Sequence, residues 1–427
     1  MPSSVLLLDP DTAEESAASL LNATRVALDT DYYPFPTQAR KRKVKQIRLS
    51  GQLLHDFCDQ IDHLYNSLRL TKEDMQTRQD VVSRIQRLLN QADEEEVSSV
   101  QLSSFGSSRN GLAARTGDLD IGILFLGVAD PAATTYTENT RGWAMSKLKR
   151  VAQIIEKENH VYSNVTRIFS ASAPLVRFRD EITGIDCDIT LDQQVAHRKT
   201  LLLGKYADSD PRVRPLIFAV KEWARVRKIN SASPKDRTLN SYTHTLMLLA
   251  FLQQRGVVPC LQRICCDKML SLGKRSAMKQ HTRRICITCK QPLPSLRVGT
   301  CETYFYEGKP PKSDNLESVG ELLLEFFRYY AITFDVANVY VSVGQGYYPP
   351  LPYKIKTRQR GNGVLGFPSD RQLHVEDLFR PERNCAKSAK PYVWRALRWE
   401  YERALVSATE KTMDGLLSDS FAMHVAE

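Results

Sequence analysis

The chain predicts a two-lobed fold, an α+β to α/β lobe built on a mixed sheet with helices, followed by a mainly helical lobe. Three observations predict it. Between about residues 72 and 190, helical apolar periodicity alternates with short apolar strands that carry Asp residues. From about residue 200 onward the apolar residues recur at helical spacing instead. Between these patterns, the turn Phe105-Gly106-Ser107-Ser108 leads to Gly117-Asp118-Leu119-Asp120-Ile121, at the head of the apolar run Leu119 to Leu126.

The elements can be justified in order. Residues 1–47 read as an extension that ends in the basic run Arg40-Lys41-Arg42-Lys43-Val44-Lys45, a solvated arm on its charge alone. Residues 72–92 form an amphipathic helix with Met75, Val82, Ile85, Leu88 and Leu89 near one face. The strand at Leu119 follows, and on a strand residues two apart point to one side, so Asp118 and Asp120 present their carboxylates together. Residues 144–158 give a second helix, with Met145, Leu148, Val151, Ile154 and Ile155 on one side. Pro174-Leu175-Val176-Arg177-Phe178, a polar turn and Gly184-Ile185-Asp186-Cys187-Asp188-Ile189-Thr190 read as a β-hairpin, which brings Asp186 or Asp188 beside the first pair. Residues 214–228, 239–254 and 391–417 read as helices of the second lobe, the last with Trp394, Leu397, Trp399, Tyr401 and Leu405 for packing.

Paired carboxylates repel and need a cation. Hard oxygen ligands suit Mg²⁺ (or Mn²⁺), which takes one or two carboxylates and then substrate phosphates. A Gly lets backbone approach a phosphate and a Ser hydroxyl can donate to it. A third carboxylate is what two metals flanking an in-line displacement require. The pattern is that of phosphoryl-transfer chemistry.

Composition bounds the reading. The 427 residues suffice for two or three domains with real cores. With 42% hydrophobic and 25% charged residues, wholesale disorder is excluded. No apolar run approaches membrane-spanning length, so no membrane partner is expected. Asp9, Asp11, Glu14 and Glu15 make the first thirty residues unlike a transit or signal peptide. A net charge of +10 suits a partner made of phosphates. Nine cysteines, an odd number scattered over a long chain, favour a reducing compartment.

The Gly-Ser turn, the Asp-x-Asp and the third Asp strand together resemble the RNA-tailing branch of the DNA polymerase β-type nucleotidyltransferases. Matches continue in order. Lys205-Tyr206 to Asp210-Pro211-Arg212-Val213, Val220-Lys221-Glu222-Trp223-Ala224-Arg225, Leu239-Asn240-Ser241-Tyr242, Gly320-Glu321-Leu322-Leu323 and Val375-Glu376-Asp377-Leu378-Phe379 each resemble a segment of that family. The resemblance implies a polymerase β-type catalytic lobe, 48–198, and a poly(A)-polymerase-associated lobe, 199–258 with 313–427. The stretch 259–312 breaks the pattern and reads as an inserted basic, Cys-containing subdomain.

The resemblance also implies roles. Asp118, Asp120 and Asp188 would be catalytic and hold two metal ions, Asp188 being the last acidic residue of its strand, with Asp186 pointing to the opposite face. Gly106 and Ser107 would meet phosphate, as would Lys221 and Arg225, which lie four apart on one helix. Tyr242 would stack on the base with Ser241 on the phosphate, and stacking tolerates any base. Thr200 would keep a hydroxyl contact and Asp377 would read the uracil edge. The chain departs from the uridylyl pattern at Arg380, where a second acidic residue stands in the family, and Arg383 follows three further on. Lys199 replaces an Asn and has no acceptor.

The expected activity is template-independent transfer of UMP from UTP to an RNA 3′-hydroxyl, on a single-stranded end or a gapped duplex. The likeness to compact editosome-associated terminal uridylyltransferases implies a mitochondrial setting and protein partners in an RNA-editing complex. The alternatives are a noncanonical poly(A) polymerase and a catalytically silent RNA-binding scaffold. Within the insert, Cys286-x-x-Cys289 has ligand spacing for Zn²⁺, near Cys265-Cys266 and His281. A second Cys-x-x-Cys is absent, so reduced, unligated thiols are expected ahead of structural zinc.

Overall fold

The computed structural model describes residues 42, 44–92, 100–125, 138–171, 173–191, 194–231, 238–265, 285–350 and 372–417. Leu126, Cys266, His281, most of the 1–47 arm and the basic residues of 266–284 lie outside them.

The chain opens with α1 (Gly51–Leu68) and α2 (Lys72–Gln91). Thr71 starts α2 with a capping box: its hydroxyl accepts from Asp74 N–H, and the Asp74 carboxylate accepts from Thr71 N–H. Then come β1 (Val100–Ser104), the short α3 (Gly106–Asn110), β2 (Leu119–Phe125) and α4 (Glu138–Lys157). Strands β3 (Tyr162–Ile168), β4 (Leu175–Asp180) and β5 (Ile185–Leu191) complete a five-stranded sheet of order β1-β2-β5-β4-β3. Only β2 and β5 run parallel. The sheet is therefore mixed, as expected.

Period-2 alternation then separates core from site. Leu119, Ile121, Ile123 and Phe125 of β2, with Cys187, Ile189 and Leu191 of β5, bury themselves with α2 and α4 in one apolar cluster. The alternate residues, Asp120 and Asp188 among them, face the other way. Two details depart from the reading of α2. Met75 is exposed, and the buried face is held by Val81 and by Arg78.

The second lobe is a separate apolar cluster containing α5 (Gln194–Ala207), α6 (Val213–Val226), α7 (Ser241–Gln254), α8 (Val319–Arg328, ending in a π turn, Tyr329–Thr333) and α9 (Pro391–Leu417). Asn240 caps α7 by accepting from Thr243 N–H at 2.8 Å, and Ser318 starts α8 with another capping box. Helix α1 belongs to this core, not to the sheet lobe that the 48–198 boundary assigns it to. Its Phe57 and Ile61 are fully buried there. The cause is close packing against α8: a Cβ on Gly320 would lie 3.0 Å from Cys58 Sγ and 3.1 Å from Phe57. Any larger residue at 320 would make these side chains shift by a few tenths of an ångström.

The insert lies against the same core through Cys286, Leu293, Cys301 and Phe305 and carries a two-stranded ribbon, β6 (Arg297–Val298) and β7 (Cys301–Glu302). Arg198 of α5 sits over the Phe305 ring at 4.4 Å and pairs with Glu307 at 2.8 Å, while Phe305 stacks on Phe379. The insert therefore links α5 to the segment bearing Asp377.

Truncating Phe57 to Ala should cost about 3–5 kcal/mol through loss of apolar contact and cavity formation, whereas Leu53→Ala, 55% exposed, should stay within about 0.5 kcal/mol. Denaturant midpoints of the two variants check this, and equal shifts would contradict the placement of α1.

Candidate active site

Parallel pairing of β2 with β5 sets Asp120 directly beside Asp188. Asp118, two residues before Asp120, shares their face. Asp186 does too, which corrects the expectation that it points away: residues 186 and 188 of one strand share a face by the same period-2 rule. Asp186 lies one step further along and pairs with Arg179 at 3.0 Å, as Asp188 pairs with Arg177. From there its charge also raises Asp118.

The electrostatics show Asp118 and Asp120 short of positive charge. Asp120 is pushed up to about 7, by burial first and then by Asp188 and Asp118. Asp118 is raised for the same reasons, with Arg177 opposing. Arg177 of β4 donates to both oxygens of Asp188 at 2.7 Å and comes within 3.9 Å of Asp118 Oδ2. Its guanidinium thus offsets charge on both carboxylates. Such a donor set, hard, clustered and under-compensated, fits divalent ions.

Local structure forces the loop against this cluster. Gly106 has φ +67°, and a Cβ there would fall 2.4 Å from Asp120 Oδ2, so no other residue fits. Phe105 N–H donates to Asp120 O at 3.1 Å, and Gly106 N–H donates to Thr200 Oγ1 at 2.9 Å. The Thr200 hydroxyl in turn donates to Ala196 O, so its observed work is to fasten the turn to α5. Arg78, buried in α2, donates to Ser108 Oγ and to the carbonyls of Asp118, Arg115 and Gly117. It thus holds the segment that presents Asp118.

A cleft of about 610 Å³ joins this cluster to the helical lobe, lined by Gly106, Ser107, Asp118, Asp120, Thr200, Lys221, Arg225, Ser241, Tyr242 and Asp377 among others. Lys221 is buried, donates to Leu112 O at 2.5 Å, and is lowered to about 8 by that burial while Asp120 opposes the shift. Arg225 is exposed and held by Glu222 at 2.6 Å. At the far end, Asp377 is buried with Lys199 Nζ at 2.6 Å and the Tyr242 hydroxyl at 3.4 Å. Burial opposes its ionisation, but Lys199 and Arg383 outweigh this and hold its pKa low, so it remains an acceptor. Lys199 also lies over the Tyr242 ring at 5.6 Å. Arg383 lines the cleft; Arg380 does not.

The cleft therefore brings together the site residues read from the sequence, apart from Asp188, which adjoins it beside Asp120. Sequence reasoning missed Arg78 and Arg177. Nothing local marks Arg78, but counting pairs along the 174–190 hairpin places Arg177 opposite Asp188 and Arg179 opposite Asp186.

Residues 57–208 match the family model described as the central palm domain of mitochondrial-like poly(A) RNA polymerase, and residues 318–383 match that of Cid1 family poly A polymerase. The first matched segment carries the five-stranded sheet, and the second runs from α8 to the segment bearing Asp377. Among curated relatives, the poly(A) RNA polymerase cid13 of Schizosaccharomyces pombe is 27% identical over 353 residues, 81% of this chain and 52% of that protein. The chain spans about half the length of the curated relatives it matches. Among solved structures, mtPAP in complex with UTP aligns with a TM-score of 0.64 at 21% identity, over 87% of this chain and 73% of that one. The Cid1 poly(U) polymerase aligns with a TM-score of 0.63 at 21% identity, over 86% and 99%. These two likenesses are ones of fold, and they agree with the two-lobed polymerase β-type architecture. Both matched segments contribute to the cleft, the first through the Asp pair and the second through Asp377.

Because Asp120 binds its proton more tightly folded than unfolded, its cost to stability grows as pH rises from about 4 to about 7 and levels off above. Without divalent ions, Asp120→Asn should therefore melt higher than the parent at pH 8, with the gain shrinking as pH falls below 7. The same variant should lose most of the stabilisation that Mg²⁺ gives the parent; melting curves across pH, with and without Mg²⁺, measure both.

Proposed function

We propose that this protein transfers UMP from UTP to the 3′-hydroxyl of RNA without a template, releasing pyrophosphate. One observation carries the choice of base. The closed end of the cleft sets a single carboxylate, Asp377, between two cations, Lys199 and Arg383, beside Tyr242. Uracil presents an acceptor, a donor and an acceptor along its edge, and a donor–acceptor–donor set is its complement. Adenine offers an amino donor next to a ring acceptor and would leave one cation facing a donor. Lys199 uses one of its three N–H bonds on Asp377 and keeps two for a carbonyl oxygen.

The chain's own residues divide the remaining work. Tyr242 offers its ring to any base. Lys221 and Arg225 supply charge to the outer phosphates, Ser241 and Ser107 donate to phosphate oxygens, and Gly106 lets backbone come close. Asp118, Asp120 and Asp188 would hold two Mg²⁺ ions, which when bound lower the pKa of the attacking hydroxyl and neutralise charge on the leaving pyrophosphate. Asp188, at the edge of the cleft, accepts the proton of the RNA 3′-hydroxyl as its oxygen attacks the α-phosphorus. Catalysis is then positioning and charge neutralisation.

A noncanonical poly(A) polymerase is the second reading, favoured by the names of the curated relatives, which are poly(A) RNA polymerases. The names of solved neighbours include a poly(U) polymerase and a cytoplasmic RNA terminal U-transferase. The mitochondrial setting and association with an RNA-editing complex belong to the same proposal, and cell fractionation with co-purification tests them.

Incorporation of each of the four NTPs onto a single-stranded RNA primer and onto a gapped duplex should show preference for UTP, and preference for ATP would install the second reading. Asp188→Ala should lower addition more than about a hundredfold with an unchanged melting profile in Mg²⁺-free buffer at pH 6. Retained turnover in that variant would remove Asp188 from catalysis, and inactivity of the parent with every nucleotide would favour a scaffold.

A further inference from the structure

Outside the cleft, one cluster of reactive side chains has no part in the proposed chemistry. Cys265, Cys286 and Cys289 place their sulfur atoms within 4.8 Å of one another. Cys265 and Cys289 lie 3.4 Å apart, far beyond the ~2.05 Å of a disulfide. Tetrahedral zinc with Zn–S bonds of about 2.3 Å sets its sulfurs about 3.8 Å apart, close to this spacing. A disulfide would use two of the three sulfurs; a metal uses them all.

The backbone around the trio is built for thiolates. Cys286 N–H donates to Gln291 O at 2.8 Å and Lys290 N–H to Cys286 O at 3.1 Å, which closes a tight turn over 286–291. Lys290 takes φ +63° to complete it. Cys265 arrives from the other side, at the end of the segment whose Arg263 O accepts from Ile287 N–H at 2.8 Å.

We propose that Cys265, Cys286 and Cys289 bind a structural zinc ion that fastens the 286–291 turn of the inserted subdomain to its first segment, which packs into the helical core. The fastening matters for the cleft because the segment before Cys265 reaches the base-reading end: Gln262 Nε2 donates to Leu378 O at 2.7 Å, next to Asp377. This reverses the expectation of unligated thiols. The spacing Cys286-x-x-Cys289 is only half a site, and the fold supplies the third sulfur from Cys265.

The test uses the full chain purified under reductant without chelator, and it is independent of nucleotide transfer. Elemental analysis should find about one zinc per chain, and X-ray absorption should show three or four sulfurs at about 2.3 Å. Titrating the parent protein with an organomercurial should release the metal and lower the melting temperature. Cys286→Ser should lose zinc while Cys58→Ser, outside the cluster, keeps it; if Cys286→Ser does not fold, the mercurial titration of the parent decides. The proposal is overturned by reduced protein that neither contains zinc nor takes up Zn²⁺ or Co²⁺. A Cys265–Cys289 disulfide found by mass spectrometry overturns it equally.

Discussion

Three carboxylates crowded on one face of a sheet are the constraint around which the rest of this molecule is arranged. Like charges in a half-buried place oppose folding, and Asp120, raised to about 7, records that opposition. The surroundings offset it piece by piece. Arg177 clamps Asp188 from the neighbouring strand, Lys221 reaches toward Asp120 from the second lobe, and Arg78 holds the carbonyls of the segment that delivers Asp118. Behind the sheet, an apolar layer from α2 and α4 keeps β2 and β5 in register, because a one-residue slip would exchange the acidic face with the core. A site that stores repulsion in this way is prepared to accept cations.

The same arrangement explains why the cleft needs both lobes. The carboxylates sit on the sheet, whereas Lys221, Tyr242 and Asp377 belong to a separate apolar core. Few polar contacts join the halves at the site: Gly106 to Thr200, Lys221 to Leu112, and Arg214 to the carbonyls of Asn110 and Gly111. The Asp cluster and the Asp377 end of the cleft therefore belong to units that fold around different cores. The insert sits at their shared edge, tied to α5 through Arg198 and to the Asp377 segment through Phe305 and Gln262.

Much of this was legible in the sequence because its signals are local and periodic. The α2, α6, α7 and α9 segments stand within a few residues of their expected limits, since an apolar stripe at helical spacing must bury itself somewhere and caps such as Thr71 and Asn240 mark its start. The Asp-x-Asp and the hairpin were visible as alternation. The readings that failed concerned partners distant in sequence. Helix α1 has an ordinary amphipathic pattern that says nothing of which core receives it, and only its packing against α6, α8 and α9 decides. Arg78 looks like a surface residue of α2 until the loop it supports folds over it.

By itself, then, the sequence determined the strands that carry Asp118, Asp120 and Asp188, the helices α2, α4, α6, α7 and α9, the placing of Lys221 and Arg225 on one helix and the odd cysteine count. These are properties of spacing, and backbone geometry converts spacing directly into a shared face. The tertiary structure alone decided which core α1 joins, that Asp186 pairs with Arg179 on the same face as the cluster, that Lys199 and Arg383 lie beside Asp377, and that Cys265 meets Cys286 and Cys289. Each of those depends on chain segments meeting through space, which no local period encodes and which packing and charge settle only when the whole chain is folded.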